Sequence, residues 1–293
     1  MKKRSSQILL ISLVWVAVFC CVYPSSSKEN LLSVGASIAP LTSLVKEIVG
    51  NKAEVICIIP PGSEPHTFEL KPRDVVRLEN TQLLFIIGWN FESFIKQLLT
   101  CLGDKVSIVE VNEGIEPIYY PNKEPNPHIW LSTTNITIIA NNIAKHLSKI
   151  DPSNKDYYFK NAQSFAIRIQ ELRHQFLQKF QNLGNLSFIA SHPSWSYLAR
   201  DYGLQEVGVL EEGPHQLPSP REIKELIQRA KEKGTKLVLA DKLHNPQLAK
   251  AVAREIRGKV LYLDVLGSPD TPCWELLKQN LEQIYQALYE NEQ

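Results

Sequence analysis

Short, continuous apolar runs alternate along this chain with longer stretches whose apolar residues recur every three or four positions. The runs Leu31 to Ala36, Val55 to Ile59, Leu83 to Ile87 and Val106 to Val111 are strand-length and rich in β-branched residues. Helical patterns follow them, at Leu41 to Val49, from Arg73, at Phe91 to Leu99 and from about Thr134 to Leu147. The alternation restarts at Leu186 to Ala190 and continues through Glu206 to Leu210, Lys236 to Ala240 and Val260 to Leu263. Helical patterns again intervene, at Ser194 to Tyr202, Pro220 to Lys233, Pro246 to Ile256 and Trp274 to Tyr289. Unbroken apolar strands separated by helices predict parallel sheets covered on both faces.

Between the two series lies one long amphipathic stretch. Asp151-Pro152 is a helix start signal, acid at the cap and proline in the first turn. Tyr158, Ala162, Phe165, Ile169, Leu172, Phe176 and Phe180 then mark one face, and Gly184 ends it. Roughly thirty helical residues span about 45 Å, the length of a strut joining two lobes. The expected fold is therefore α/β: two open parallel-sheet lobes of four β-α units each, joined by one long helix. The expected boundaries are 28–150, 151–184 and 185–293.

Residues 1–27 break the pattern. Lys2, Lys3 and Arg4 precede an apolar segment, Ile8 to Val22, and small residues at Ser25 to Ser27, the layout of an export signal. The apolar run is short for a membrane anchor. Cys20 and Cys21 follow Phe19 and Cys20, not the small residue that lipid attachment favours, so a lipid anchor is the lesser alternative to simple cleavage. Without this segment the chain holds 29 basic against 31 acidic residues, a net charge of −2. No basic field for nucleic acid exists. The remaining cysteines, Cys57, Cys101 and Cys273, are odd in number and widely spaced, which is no disulfide framework.

The candidate chemistry is histidine at strand ends. Pro60 to Glu69 is a loop stiffened by three prolines that carries His66; Pro127-His128 and His192-Pro193 repeat the pairing. His66 follows the second expected strand, His128 the fourth, His192 the fifth and Asp264 the eighth. In open parallel sheets, ligands sit beyond the carboxyl ends of the strands. Two facing lobes would bring all four residues into one cleft, a donor set of three imidazoles and a carboxylate suited to Zn²⁺, with Mn²⁺ or Fe²⁺ as alternatives. Asp241, also at a strand end, is a supporting carboxylate or a competing fourth donor. His215, after Gly213-Pro214, is an alternative or supporting donor. His146 and His174 fall on helices as exposed residues, His244 falls in a loop, and Ser194 reads as a helix N-cap. Binding to neutral imidazole weakens on acidification. There is no glycine-rich phosphate loop, His-Glu-x-x-His helix or Gly-x-Ser-x-Gly elbow, so no enzyme is expected. A secreted zinc-dependent hydrolase and a surface adhesin with a structural metal are the alternatives.

These residues carry a resemblance. Pro61-Gly62 through Pro65-His66-x-Phe68-Glu69, Asn126-Pro127-His128-x-Trp130-Leu131-Ser132, Asp151-Pro152 with Tyr158 and Asn161, Ser191-His192 with Tyr197-Leu198, and Leu263-Asp264 with Leu266-Gly267 occur in order. Together they resemble the substrate-binding proteins of bacterial zinc/manganese ABC importers, the cluster 9 (A-I) or ZnuA/TroA-like family. That resemblance implies metal held between two lobes by His66, His128, His192 and Asp264. It also implies a monomer that delivers the ion, outside the cytoplasm, to a membrane permease driven by a cytoplasmic ATPase. Zinc-specific members often carry a His- and acid-rich loop before the second donor, whereas Glu116 to Pro127 is short and has no histidine. Manganese-specific members tend to place glutamate where this chain has His192. The order implied is zinc, then manganese, then iron.

Overall fold

Four strands form the first sheet in the computed structural model, which describes residues 31–211, 218–242 and 246–291. They are β1 (Leu32–Ala36), β2 (Ala53–Cys57), β3 (Leu83–Ile86) and β4 (Ser107–Glu110), in the order β2-β1-β3-β4, all parallel. Helices α1 (Ala39–Val49), α2 (Pro72–Leu78) and α3 (Ile95–Leu102) link them, and α4 (Asn135–Ile150) follows. The second sheet holds β5 (Ser187–Ala190), β6 (Gln205–Val209), β7 (Leu237–Asp241) and β8 (Lys259–Leu263), in the order β6-β5-β7-β8, again parallel. Helices α6 (Ser196–Tyr202), α7 (Pro220–Glu232), α8 (Gln247–Glu255) and α9 (Cys273–Glu290) belong to it. The two sheets thus share one strand order.

Between them runs α5 (Lys155–Gln181), whose 27 residues make a rod of about 40 Å. Its buried face is Tyr158, Ala162, Phe165, Ile169, Leu172, Phe176 and Phe180, the expected stripe. It packs on α1 and α4 from the first half and on α6 and α9 from the second. One continuous apolar core therefore runs from β1 and β3 through α5 to β5 and β7. A separate cluster, including Ile189, Leu226, Val238 and Val252, fills the space between the second sheet and α7–α8. The described residues fall in a single compact unit.

Some local expectations shift. The Asp151 side chain does not cap α5; its Oδ2 accepts from Tyr158 Oη–H at 2.6 Å and Asn154 Nδ2–H at 2.7 Å. Pro152–Asn154 form a short 3-10 turn, and the α-helix starts after it. Likewise Ser194 lies within the 3-10 turn Pro193–Trp195, and its buried Oγ has no hydrogen-bond partner, so it is not a cap. In both places the α-helix is preceded by a short 3-10 turn led by proline. Cys57, Cys101 and Cys273 are free thiols. His174 is exposed on α5, while His146 on α4 is half-buried rather than exposed. His215 and His244 lie outside the described residues. Among the described residues no helix is long and apolar enough to cross a membrane.

Candidate metal centre

Three imidazoles from three strand-end loops converge. His66 sits in a 3-10 turn, Pro65–Thr67, eight residues beyond β2. Glu64 caps that turn: its Oε1 accepts the His66 backbone N–H at 3.2 Å. His128 precedes the 3-10 turn Ile129–Leu131, and His192 follows the end of β5 after one intervening residue, Ser191. His128 and His192 are buried and His66 is half-buried.

One nitrogen of each ring lies within 4.8 Å of the other two. His66 Nε2 stands 3.4 Å from His128 Nε2, which stands 3.3 Å from His192 Nε2. Donor atoms about 2.0–2.1 Å from a single ion at tetrahedral angles are about 3.3–3.4 Å apart. Both spacings to His128 are those of donors around one small ion, and the third pair lies within 4.8 Å. The space between the rings, shared with Glu64, Pro65, Trp130, Asp241, Val265 and Leu266, is about 10 Å³ for the centre of a water-sized sphere. That is room for one ion or one water.

The orientation of His128 follows from its neighbour. Asn126 Nδ2–H donates to the Pro193 carbonyl at 2.7 Å, which turns its Oδ1 toward His128. That oxygen accepts the His128 backbone N–H at 3.0 Å and lies 2.8 Å from Nδ1. An amide oxygen only accepts, so Nδ1 carries the proton and Nε2 presents a lone pair to the other rings. Asn126 is fully buried, and its own carbonyl accepts from Tyr197 Oη–H at 2.7 Å. It ties the His128 loop to the turn after His192. The signal for it was its place two residues before His128, a spacing at which Asn commonly bonds the backbone ahead.

The walls are aromatic. Phe91 meets His66 edge to face with centroids 4.9 Å apart, and Trp130 lies 5.2 Å from the His128 ring. Trp130 Nε1–H donates to Val265 O at 2.8 Å, a bond from the first half to the loop after β8. Sequence reading named neither ring nor Glu64 as part of a site.

Asp264 is not among the three converging residues. Its Oδ1 accepts the N–H groups of Leu266 at 3.0 Å and Gly267 at 2.8 Å, closing a turn. The two residues after it, Val265 and Leu266, line the small cavity. Asp241, the last residue of β7, is buried and lines the cavity itself. A larger cavity of about 570 Å³ is lined by Asn126 of the His128 loop and Pro193 of the His192 turn but touches none of the three imidazoles. Its lining includes Tyr120, Ser196 and Glu206, the last with a carboxyl pushed up to about 7 by burial.

Comparison with known proteins agrees with this geometry. Residues 34–287 match the family described as zinc-uptake complex component A, periplasmic. The chain is 27% identical to the metal ABC transporter substrate-binding lipoprotein FimA of Streptococcus parasanguinis, over 98% of this chain and 99% of that one. It is 26% identical to the high-affinity zinc uptake system protein ZnuA of Bacillus subtilis, with 98% and 99% covered. A crystal structure of ZnuA superposes with a TM-score of 0.80 at 32% identity, covering 88% of this chain and 99% of the other. A match across nearly all of the described fold, with three imidazoles at one ion's spacing, means that this chain belongs to the zinc-uptake complex component A family of metal-binding transport proteins.

Proposed function

We propose that this protein captures a divalent metal ion between its two halves and hands it, outside the cytoplasm, to the membrane permease of an ABC importer. His66, His128 and His192 bind the ion through Nε2, and Asp264 supplies the fourth donor from the loop after β8. Asp241 supports the site from β7, and His215, outside the described residues, is an alternative donor. The observation that carries the reading is the 3.3–3.4 Å spacing of the Nε2 atoms around a space of ion size. The same small space speaks against a hydrolase, because an organic substrate has nowhere to sit beside the imidazoles. The lobes are the boundaries expected from sequence, 28–150 and 185–293, with 151–184 as the strut, after an export signal in 1–27 that is cleaved without a lipid anchor. The protein works as a monomer.

Zinc is the favoured cargo. Three neutral nitrogen donors and one carboxylate suit Zn²⁺ better than the harder Mn²⁺, with Fe²⁺ third. The deciding measurement is calorimetric titration of Zn²⁺ and Mn²⁺ into chelator-treated protein, alongside His66→Ala and His128→Ala. The expected result is tight zinc binding in the parent and a loss of at least a hundredfold in each variant. Binding unchanged in both variants would sink the site.

A further inference from the structure

The loop after β3 is built under backbone strain. Gly88, Trp89 and Asn90 are consecutive residues at φ of 88°, 54° and 60°. Glycine takes this region freely and asparagine tolerates it, but tryptophan is strained there. At Gly88 a Cβ would also meet the ends of the Glu110 and Asn112 side chains, which would have to move aside. Such a conformation persists only where its surroundings over-determine it.

Glu92 does that. Its Oε1 accepts Ser37 Oγ–H at 2.6 Å and the Ile87 N–H at 2.7 Å, and its Oε2 accepts the Gly88 N–H at 3.1 Å. Only 5% of the residue is exposed. A buried carboxylate with three donors from two separate segments fixes both ends of the left-handed run. The residue held between them is Phe91, also 5% exposed, whose ring lies edge-on to His66 and 5.5 Å from the ring of Trp130.

We propose that Glu92 is a positioning residue for metal capture: by fixing the left-handed loop it presses Phe91 against His66 and holds that imidazole ready for the ion. This rests on the reading of His66 as a metal donor. His66 is the least buried of the three imidazoles, and its loop is joined to β2 by eight residues. Without the Phe91 wall the ring gains rotamer freedom that binding must then remove, and affinity falls. Groups that orient donors from outside the coordination shell typically contribute 10- to 100-fold to metal affinity.

The test is Zn²⁺ competition against a chromophoric chelator on the full exported chain, with Glu92→Gln, Phe91→Leu and the double variant. NMR shifts of the His66 imidazole in the metal-free protein report its ordering. The Glu92→Gln change keeps the side-chain volume but replaces one acceptor with an amide N–H₂, which then faces a backbone donor. Each single variant is expected to bind Zn²⁺ 10- to 100-fold more weakly, and the double variant no more weakly than the worse single one. The His66 resonances should broaden or shift in both. Parent-like affinity in folded Glu92→Gln, or effects that simply multiply in the double variant, overturns the proposal. Should Glu92→Gln fail to fold, Ser37→Ala removes one of the three hydrogen bonds and leaves the carboxylate. It should weaken Zn²⁺ several-fold, and unchanged affinity overturns the proposal. His66→Ala separates the two readings: if it abolishes binding while Glu92→Gln does not, only the positioning role fails.

Discussion

The two halves of this protein are built on one plan and use it differently. Beyond the shared strand order, the same backbone bonds recur at the ends of the central strands. Ser37 N–H donates to Phe85 O in β3, and Ser191 N–H donates to Leu239 O in β7. Ile58 N–H reaches Ala36 O just as Leu210 N–H reaches Ala190 O. Ala36-Ser37-Ile38 thus stands where Ala190-Ser191-His192 stands in the second half. In the first half the serine holds Glu92 and the next residue, Ile38, is 1% exposed core. In the second half the serine Oγ accepts the Asp241 N–H at 3.3 Å, and the next residue is the imidazole that faces His128. One position after a central strand is therefore packing in one half and chemistry in the other. A strand end facing the cleft is only a place; the residue type decides what it does.

Four outcomes would break or sharpen that comparison. The largest is expected from His192→Ile, which gives the second half the residue of the first. Losing a donor from a small-ion site should weaken Zn²⁺ by about a thousandfold or more in competition titration, with the fold retained by circular dichroism. The reverse change, Ile38→His, should gain no metal and destabilise the protein by about 2–4 kcal/mol in denaturant melts, because a polar ring enters a core site without a partner. Tighter zinc binding in that variant would refute the assignment of Ile38 to packing.

Next comes Asn126→Ala, which removes the acceptor that fixes the His128 tautomer. It should weaken zinc by about 10- to 100-fold, whereas Asn126→Asp, which keeps an oxygen beside Nδ1, should retain more of the affinity. Equal effects would mean that Asn126 acts through its bond to Pro193 instead.

The smallest effect concerns stability and pH. Burial pushes the carboxyl groups of Glu92 in the first half and Glu206 in the second up to about 7 from 4.5. Between those values the folded protein keeps protons that the unfolded chain releases. Each group's contribution is therefore full below about pH 4.5 and is lost as pH rises through about 7. The shifts are alike, so the two groups should contribute comparable shares. Metal-free melts across this range should show the decline, and Glu92→Gln should flatten about half of it.

Much of this was legible in the sequence because it is periodic. The stripe from Tyr158 to Phe180 is a run of local spacings, and local spacing is what a helix converts directly into a buried face. The eight strands were legible for the same reason. His66, His128 and His192 were found by their place beyond strand ends, a rule of topology that needs only element order. Phe91, Trp130, Asn126 and Glu92 were not found as parts of a site. Each looks in sequence like an ordinary core or turn residue, and its role lies in a contact with a segment tens of residues away.

The sequence by itself determined two α/β halves, the helix between them and which loops carry imidazoles, because hydrophobic period and chain order are local properties. Only the tertiary structure decided that three Nε2 atoms stand one ion's width apart, that Asn126 sets the His128 tautomer, and that Asp264 Oδ1 closes its own turn. Those are distances between atoms on separate loops, and they are set by how the two halves pack around α5.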